Sequence, residues 1–256
     1  TLDRSSAASD VYKRQVYCSG QVIRRLSGNM SSTAYRLGDL GGDAGVDIGL
    51  TGGGILFGLF GFSSNDVNAI TPEQGFKMST TAAVIKSVVG DVDLNADGWI
   101  DIAIGVDDAS SGTLSSNGSV FIVYGRPGGF PFETDLDAPS QDVVRIDGVS
   151  DLDFLGRHMT SLDFDGDGVD DLVVPGGTGS VYVLFGHSRR FVAGPVNALN
   201  GQVAAIPAHP VQPGSPKTGF DFNDDGREDF VLDNYIVLGR SNALFSDSFE
   251  AQPSLR

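Results

Sequence analysis

The sequence predicts an all-β fold assembled from a repeated unit, and three observations carry that expectation. Long stretches with apolar i, i+3, i+4 periodicity are absent, while short β-branched or aromatic runs bounded by Gly, Asp and Asn recur along the 256 residues. Glycine is abundant, at 35 residues against 20% charged, which describes a chain rich in tight turns. One acidic motif returns four times, and each time it runs directly into an apolar segment. With 40% apolar residues the chain can bury a sizeable core.

In chain order, residues 5–15 (SSAASDVYKRQ) read as the translation of a sequencing adapter, so 1–15 are set aside as an artefact of sequence acquisition. It follows that the natural chain is expected to continue N-terminally, and a leader peptide cannot be judged from this sequence. Residues 16–26 (VYCSGQVIRRL) have the pattern of the last strands of a preceding unit. Cys18 is the single cysteine, so an internal disulfide is excluded.

Three acidic segments then align without gaps: Asp93–Asp101, Asp163–Asp171 and Asp221–Asp229, sharing the pattern D-x-[DN]-x-D-G-x-x-D followed by an apolar residue. A degenerate fourth copy lies upstream at Asp39–Asp47, keeping the acids at positions 1, 5 and 9 but holding Gly41 and Ala44 at positions 3 and 6. Loop starts are 54, 70 and 58 residues apart. After each loop comes one apolar strand (DIGL, DIAIGV, DLVVPGG, DFVLDN), then a second closed by Gly: GGILFGLFG at 53–61, GSVFIVYG at 118–125, GSVYVLFG at 179–186 and NYIVLG at 234–239. The apolar stretch 48–62 is too short and glycine-rich for a membrane span and reads as two of these strands. Units of this length, made of short strands covered on both faces, fit the blades of a β-propeller. About four are present.

The aspartates need a reason, because 17 of the 33 acidic residues sit in the four segments 39–47, 91–101, 163–171 and 221–229. A hard divalent cation such as Ca2+ takes roughly six to eight oxygen ligands. Alternating positions 1, 3 and 5 put three side-chain oxygens on one side of a tight loop, and Gly at 6 lets the chain turn around the ion. The residue at 7 (Trp99, Val169, Arg227) can offer its backbone carbonyl, and Asp at 9 closes the site. Without a cation, carboxylates this close repel one another. Position 12 is Ile104, Val174 or Leu232, which excludes EF-hand and dockerin loops; the single cysteine excludes thrombospondin-type repeats, and the lack of tandem recurrence speaks against a β-roll. The copy at 39–47 reads as a structural turn.

These units resemble the FG-GAP repeat of the integrin α-subunit propeller over residues 16–245, most fully at 153–186, where Phe154 and Gly156 stand near the Phe-Gly lead and VVPGG stands for Gly-Ala-Pro. The lead is poor before 93–101 and absent before 221–229. The resemblance implies a ring of roughly seven blades, of which this chain would form an incomplete arc with sticky ends. It also implies calcium held by Asp93, Asn95, Asp97, Trp99 (carbonyl) and Asp101; by Asp163, Asp165, Asp167, Val169 (carbonyl) and Asp171; and by Asp221, Asn223, Asp225, Arg227 (carbonyl) and Asp229. Residues 246–256 form a C-terminal tail, and 243–252 (ALFSDSFEAQ) is similar to a short ending found on secreted proteins of some gammaproteobacteria.

Function classes narrow accordingly. A net charge of −16 without Lys/Arg stripes excludes a nucleic-acid partner, and no basic amphipathic segment suggests membrane insertion. No G-x-S-x-G or phosphate loop is present, and His158, His187 and His209 lack metal-ligand spacing. The expectation is a non-enzymatic, extracellular or cell-surface calcium-binding module that binds a protein or glycan ligand in adhesion or as a scaffold. The alternatives are the propeller portion of a secreted hydrolase, such as a phospholipase or glycan-active enzyme, and a purely structural role.

Overall fold

The computed structural model describes residues 33–240 apart from 62–65, 83, 139, 178, 200, 208–213 and 234, together with the backbone of 14–18 and 21–26. The tail at 246–256 and residues 1–13 lie outside the described residues. Among the described residues, regular structure is β throughout, save two single 3-10 turns at Val67–Ala69 and Val196–Ala198. The first elements among these residues are an antiparallel hairpin of β1 (Arg14–Cys18) and β2 (Gln21–Leu26).

Four sheets follow. The first holds β3 (Ala34–Gly38), β4 (Asp47–Gly52), β5 (Ile55–Leu59) and β6 (Gly75–Ser79), antiparallel in chain order. The second holds β7 (Ser87–Val92), β8 (Asp101–Val106) and β9 (Ser119–Val123); the chain then leaves it for β10 (Glu133–Asp135) and returns as β11 (Val143–Asp147). The third holds β12 (Thr160–Leu162), β13 (Asp171–Pro175) and β14 (Ser180–Leu184), departs through β15 (Gly194–Pro195), and returns as β16 (Val203–Pro207). The fourth holds β17 (Lys217–Phe220), β18 (Asp229–Leu232) and β19 (Tyr235–Val237).

The two departures lace the blades together. β10 pairs parallel with β6 of the first sheet, Thr134 opposite Met78, and β15 pairs parallel with β11 of the second, Ile146 opposite Gly194. Each of these two sheets therefore has its outer edge covered by a strand from the next unit, which removes an open edge.

Side chains interleave between neighbouring sheets. Ile102, Ile104 and Val106 of β8 pack with Leu37, Leu56, Phe76 and Met78 of the first sheet, whereas Ala103 with Val120 and Ile122 packs toward Leu172, Val174 and Tyr182 of the third. Val173, Val181 and Val183 meet Phe230 and Leu232 of the fourth. All six residues of β8 are buried, which is why this strand reads as an apolar run and not as an alternation. Fully burying each such side chain is worth about 1.5–3 kcal/mol. An isolated hairpin is marginal in water, so contact between blades holds these short strands in place. This stacking of small antiparallel sheets is that of a β-propeller. The acidic loops all join the first to the second strand of a sheet and so lie at one end of the stack.

Candidate metal centres

The four loops share one hydrogen-bonded frame. At position 1, Asp163 accepts N–H bonds from Gly166 (2.8 Å) and Gly168 (3.0 Å), and Asp93 from Asp97 (3.1 Å) and Gly98 (2.8 Å). Asp221 likewise accepts from Asp225 (3.1 Å) and Gly226 (2.9 Å), and Asp39 from Gly42 (2.7 Å) and Ala44 (2.9 Å). At position 5, Asp97, Asp167 and Asp225 each accept the N–H of the residue two further on, at 2.9, 2.8 and 3.0 Å.

The glycine at position 6 is left-handed in all three full loops: φ is +83° at Gly98, +87° at Gly168 and +83° at Gly226. A Cβ there would meet nothing within 4 Å, so the backbone conformation, not space, calls for glycine. Ala44 adopts the same conformation in the degenerate loop, at φ +62°. Position 4 is left-handed as well, at Gly42 (+70°), Ala96 (+54°), Gly166 (+76°) and Asp224 (+54°). That requirement was missed in the sequence; its signal is that two of the four residues are Gly and one is Asp, which tolerates this region better than most.

Position 9 does more than close a site. Asp47, Asp101, Asp171 and Asp229 are all fully buried, with both oxygens engaged by backbone N–H groups. One oxygen accepts from position 2: Leu40 (2.7 Å), Leu94 (2.9 Å), Phe164 (2.9 Å) and Phe222 (2.6 Å). The other accepts from the glycine that ends the third strand: Gly61 (2.6 Å), Gly125 (2.8 Å), Gly186 (2.8 Å) and Gly239 (2.7 Å). These closing glycines were visible as punctuation only. A Cβ on Gly125, Gly186 or Gly239 would run into the backbone carbonyl at position 8, that of Ile100, Asp170 or Glu228. Glycine is thus needed for the strand end to reach the buried carboxylate.

The pins also connect blades. The residue after the closing glycine donates its N–H to the position-2 carbonyl of the preceding loop: Arg240 to Phe164 (3.0 Å) and His187 to Leu94 (3.2 Å). Asp229, Asp171 and Asp101 therefore lie on one continuous backbone hydrogen-bond path across the last three sheets. Further contacts reinforce it. Asp93 donates its N–H to the Asp170 carboxylate (3.0 Å), Glu228 donates to the Asp163 carbonyl (3.2 Å), and the Arg227 guanidinium bridges the Asp165 carbonyl (3.2 Å) and the Asp225 carboxylate (3.4 Å).

The residues present fit a divalent cation best in the third loop, where one oxygen each of Asp163, Asp165 and Asp171 lies within 4.8 Å of the others. Asp167 and the Val169 carbonyl belong to the same turn. In loops 93–101 and 221–229 position 3 is an asparagine, whose amide donates to the position-5 carboxylate: Asn95 to Asp97 (3.0 Å) and Asn223 to Asp225 (2.9 Å). The amide oxygen remains the available ligand there. Burial pushes Asp101 up to about 7, with Asp93 and Asp97 adding to the rise, and burial with the Asp165 charge pushes Asp171 up to about 8; backbone N–H donors oppose both shifts. A bound cation reverses that balance. Loop 39–47 keeps the frame but Gly41 offers no side-chain oxygen.

Stacked antiparallel sheets, each with an acidic turn after its first strand, define a repeat-built propeller. Residues 155–184 match the FG-GAP repeat, a span that runs from the Gly156 turn through the third acidic loop to the end of β14. The chain thus carries an FG-GAP repeat at 155–184 and is similar to proteins of the integrin-α kind. It is 27% identical to phosphatidylinositol-glycan-specific phospholipase D of Mus musculus over 191 residues, covering 71% of this chain and 22% of that protein. It is 30% identical to the Rattus norvegicus phospholipase D over 50% of this chain and 17% of the relative. It is 37% identical to integrin alpha-E of Mus musculus over 36% of this chain and 8% of the integrin. The chain thus spans at most about a fifth of the length of these relatives.

Proposed function

We propose that this chain is a non-catalytic, calcium-binding propeller module that works outside the cell or at its surface, presenting a protein or glycan ligand site in adhesion or as a scaffold. The observation that carries it is the convergence of Asp163, Asp165 and Asp171, in a loop frame repeated in register at 93–101 and 221–229. Sites of this kind fill in millimolar extracellular calcium even when as weak as about 10⁻⁴–10⁻³ M. The relatives include an integrin. No helix among the described residues is long and apolar enough to cross a membrane, and the net charge of −16 disfavours nucleic acid. Calcium at about 100 times its Kd stabilises the native state by about 2.7 kcal/mol per site, which for a chain of this size raises Tm by about 5–10 °C per filled site. Titration calorimetry and melting in calcium against EGTA test this. No binding heat and an unchanged Tm overturn it.

A second reading has its own support in the phospholipase D relatives: the module belongs to a secreted hydrolase whose catalytic part is encoded upstream. Recovering the upstream coding sequence and assaying its product for phospholipase and glycosidase activity separates the two. A reading frame with no catalytic domain removes this one.

A further inference from the structure

Position 7 of the four acidic loops is held by Gly45, Trp99, Val169 and Arg227, and only the last carries a charge. The ligand expected from this position is the backbone carbonyl, so the side chain has no part in the ligand set. The structure gives the Arg227 side chain a different place. It crosses from the fourth loop to the third and lies against Gly166, where a Cβ would meet its Cγ at 3.0 Å. Its Nε donates to the Asp165 carbonyl (3.2 Å), and its Nη1 pairs with Oδ2 of Asp225 (3.4 Å). The two side chains of that pair are 34% and 30% exposed, so water and salt screen it only in part.

Two candidate calcium loops thus share one positive charge that belongs to the protein. In the fourth loop Oδ2 of Asp225 also accepts the Asn223 amide (2.9 Å), while Oδ1 holds the Arg227 N–H (3.0 Å). The carboxylate that a cation would claim there is already met by a charged donor. In loop 93–101 the matching oxygen of Asp97 takes the Asn95 amide (3.0 Å), and Trp99 brings no charge. In the third loop the guanidinium stands beside Asp165, one of the three converging carboxylates.

We propose that Arg227 is a built-in competitor of calcium: it offsets the acidic charge of loops 163–171 and 221–229 while they are empty, and it holds their calcium affinity below what the same ligands would give without it. The inference rests on the calcium reading above. A cation entering either loop meets a fixed like charge, and Asp225 must exchange its ion pair for the metal. A unit charge within a few ångströms of a divalent ion shifts its affinity by about three- to tenfold even in a water-like dielectric, and by less in high salt.

The test is calorimetric titration of the full chain with calcium at low salt, comparing the wild type with Arg227→Gln, which keeps the backbone carbonyl and removes the charge. Arg227→Gln is expected to bind about three- to tenfold more tightly, with the gain shrinking at high salt, while its Tm in EGTA falls. These opposite signs separate competition from a merely structural role. Arg227→Lys is expected to bring the affinity back to the wild-type range. Loop 93–101 is the internal control: the fluorescence of Trp99, the single tryptophan, follows its filling, and its midpoint should not move. Arg227→Met, which keeps the aliphatic stem beside Gly166, replaces Arg227→Gln should circular dichroism show that variant unfolded. No calcium heat in the wild type overturns the calcium reading itself. Calcium binding that is unchanged in Arg227→Gln, or equally tightened in Arg227→Lys, overturns this inference alone, as does a Trp99 midpoint that shifts with the rest.

Discussion

Asp171→Ala separates the two tasks that the sequence assigns to one aspartate. In the fold its carboxylate is fully buried and accepts N–H bonds from Phe164 (2.9 Å), Asp165 (3.3 Å) and Gly186 (2.8 Å). Truncation strands these donors, and each unsatisfied buried donor costs about 1–3 kcal/mol. The two shorter bonds alone give a loss on the order of 4 kcal/mol, or roughly 10 °C in Tm at this chain length. That loss involves no ion and must appear in full in EGTA. Asp167→Ala is the contrast. Its carboxylate is exposed and holds only the local Val169 N–H at 2.8 Å, so removing it costs about 1 kcal/mol or less in EGTA. In calcium the same change also removes a ligand, adding up to about 2.7 kcal/mol at 100 times Kd. Calorimetric melts of both variants, with and without EGTA, make the comparison. If Asp171→Ala loses less than about 1 kcal/mol in EGTA, or no more than Asp167→Ala loses there, the buried-pin account is wrong.

Other consequences follow from the same geometry. Burial pushes the Asp101 and Asp171 carboxyls up to about 7 and about 8, well above the ordinary carboxylate range. Stability they confer on the cation-free protein is therefore present at low pH and lost as pH rises through about 7 to 8. A cation requires the ionised form, so the Tm gap between calcium and EGTA should widen from about pH 5 to about pH 8.5; a flat or narrowing gap contradicts this. Ala44→Gly should raise stability by about 0.5–1 kcal/mol in urea melts, since Ala44 sits at φ +62°. Arg157→Ala should cost about 3–5 kcal/mol in the same assay, because Asp107, 3% exposed and with Oδ1 unpartnered, is left without its 2.8 Å ion pair; a loss below about 1 kcal/mol would show that the buried carboxylate is relieved some other way.

Much of this was legible in the chain because the information is local. The acidic turns and the apolar runs after them became β4, β8, β13 and β18, and the glycine-closed runs became β5, β9, β14 and β19. What escaped is non-local. Glu133-Thr134-Asp135 has no apolar pattern, and becomes β10 only because the edge of the first sheet lies beside it. Gly194–Pro195 is shorter still. The sequence placed Asp at position 9 on a metal because its spacing suits one. Spacing cannot reveal that a glycine 24 residues beyond Asp101, or 10 beyond Asp229, donates to that carboxylate. The Phe-Gly lead is likewise an inter-blade element: Gly156 approaches Gly105 and Ser119 of the second sheet too closely for a Cβ, and its carbonyl accepts from Ser87 (2.7 Å).

The lacing by β10 and β15 bears on how such a protein can lengthen or shorten. The unit that repeats in the gene is not the unit that forms a sheet, because each of these strands is encoded inside one repeat and hydrogen-bonded into the sheet of the one before. Excising the stretch from β7 through β11 would take a complete repeat in coding terms, yet it would also strip β10 from the edge of β6 and leave β15 without β11 to pair with. A viable recombination event must therefore supply a replacement repeat whose own detour has the right length to reach its upstream neighbour, and that length requirement constrains blade shuffling more tightly than the acidic loops do.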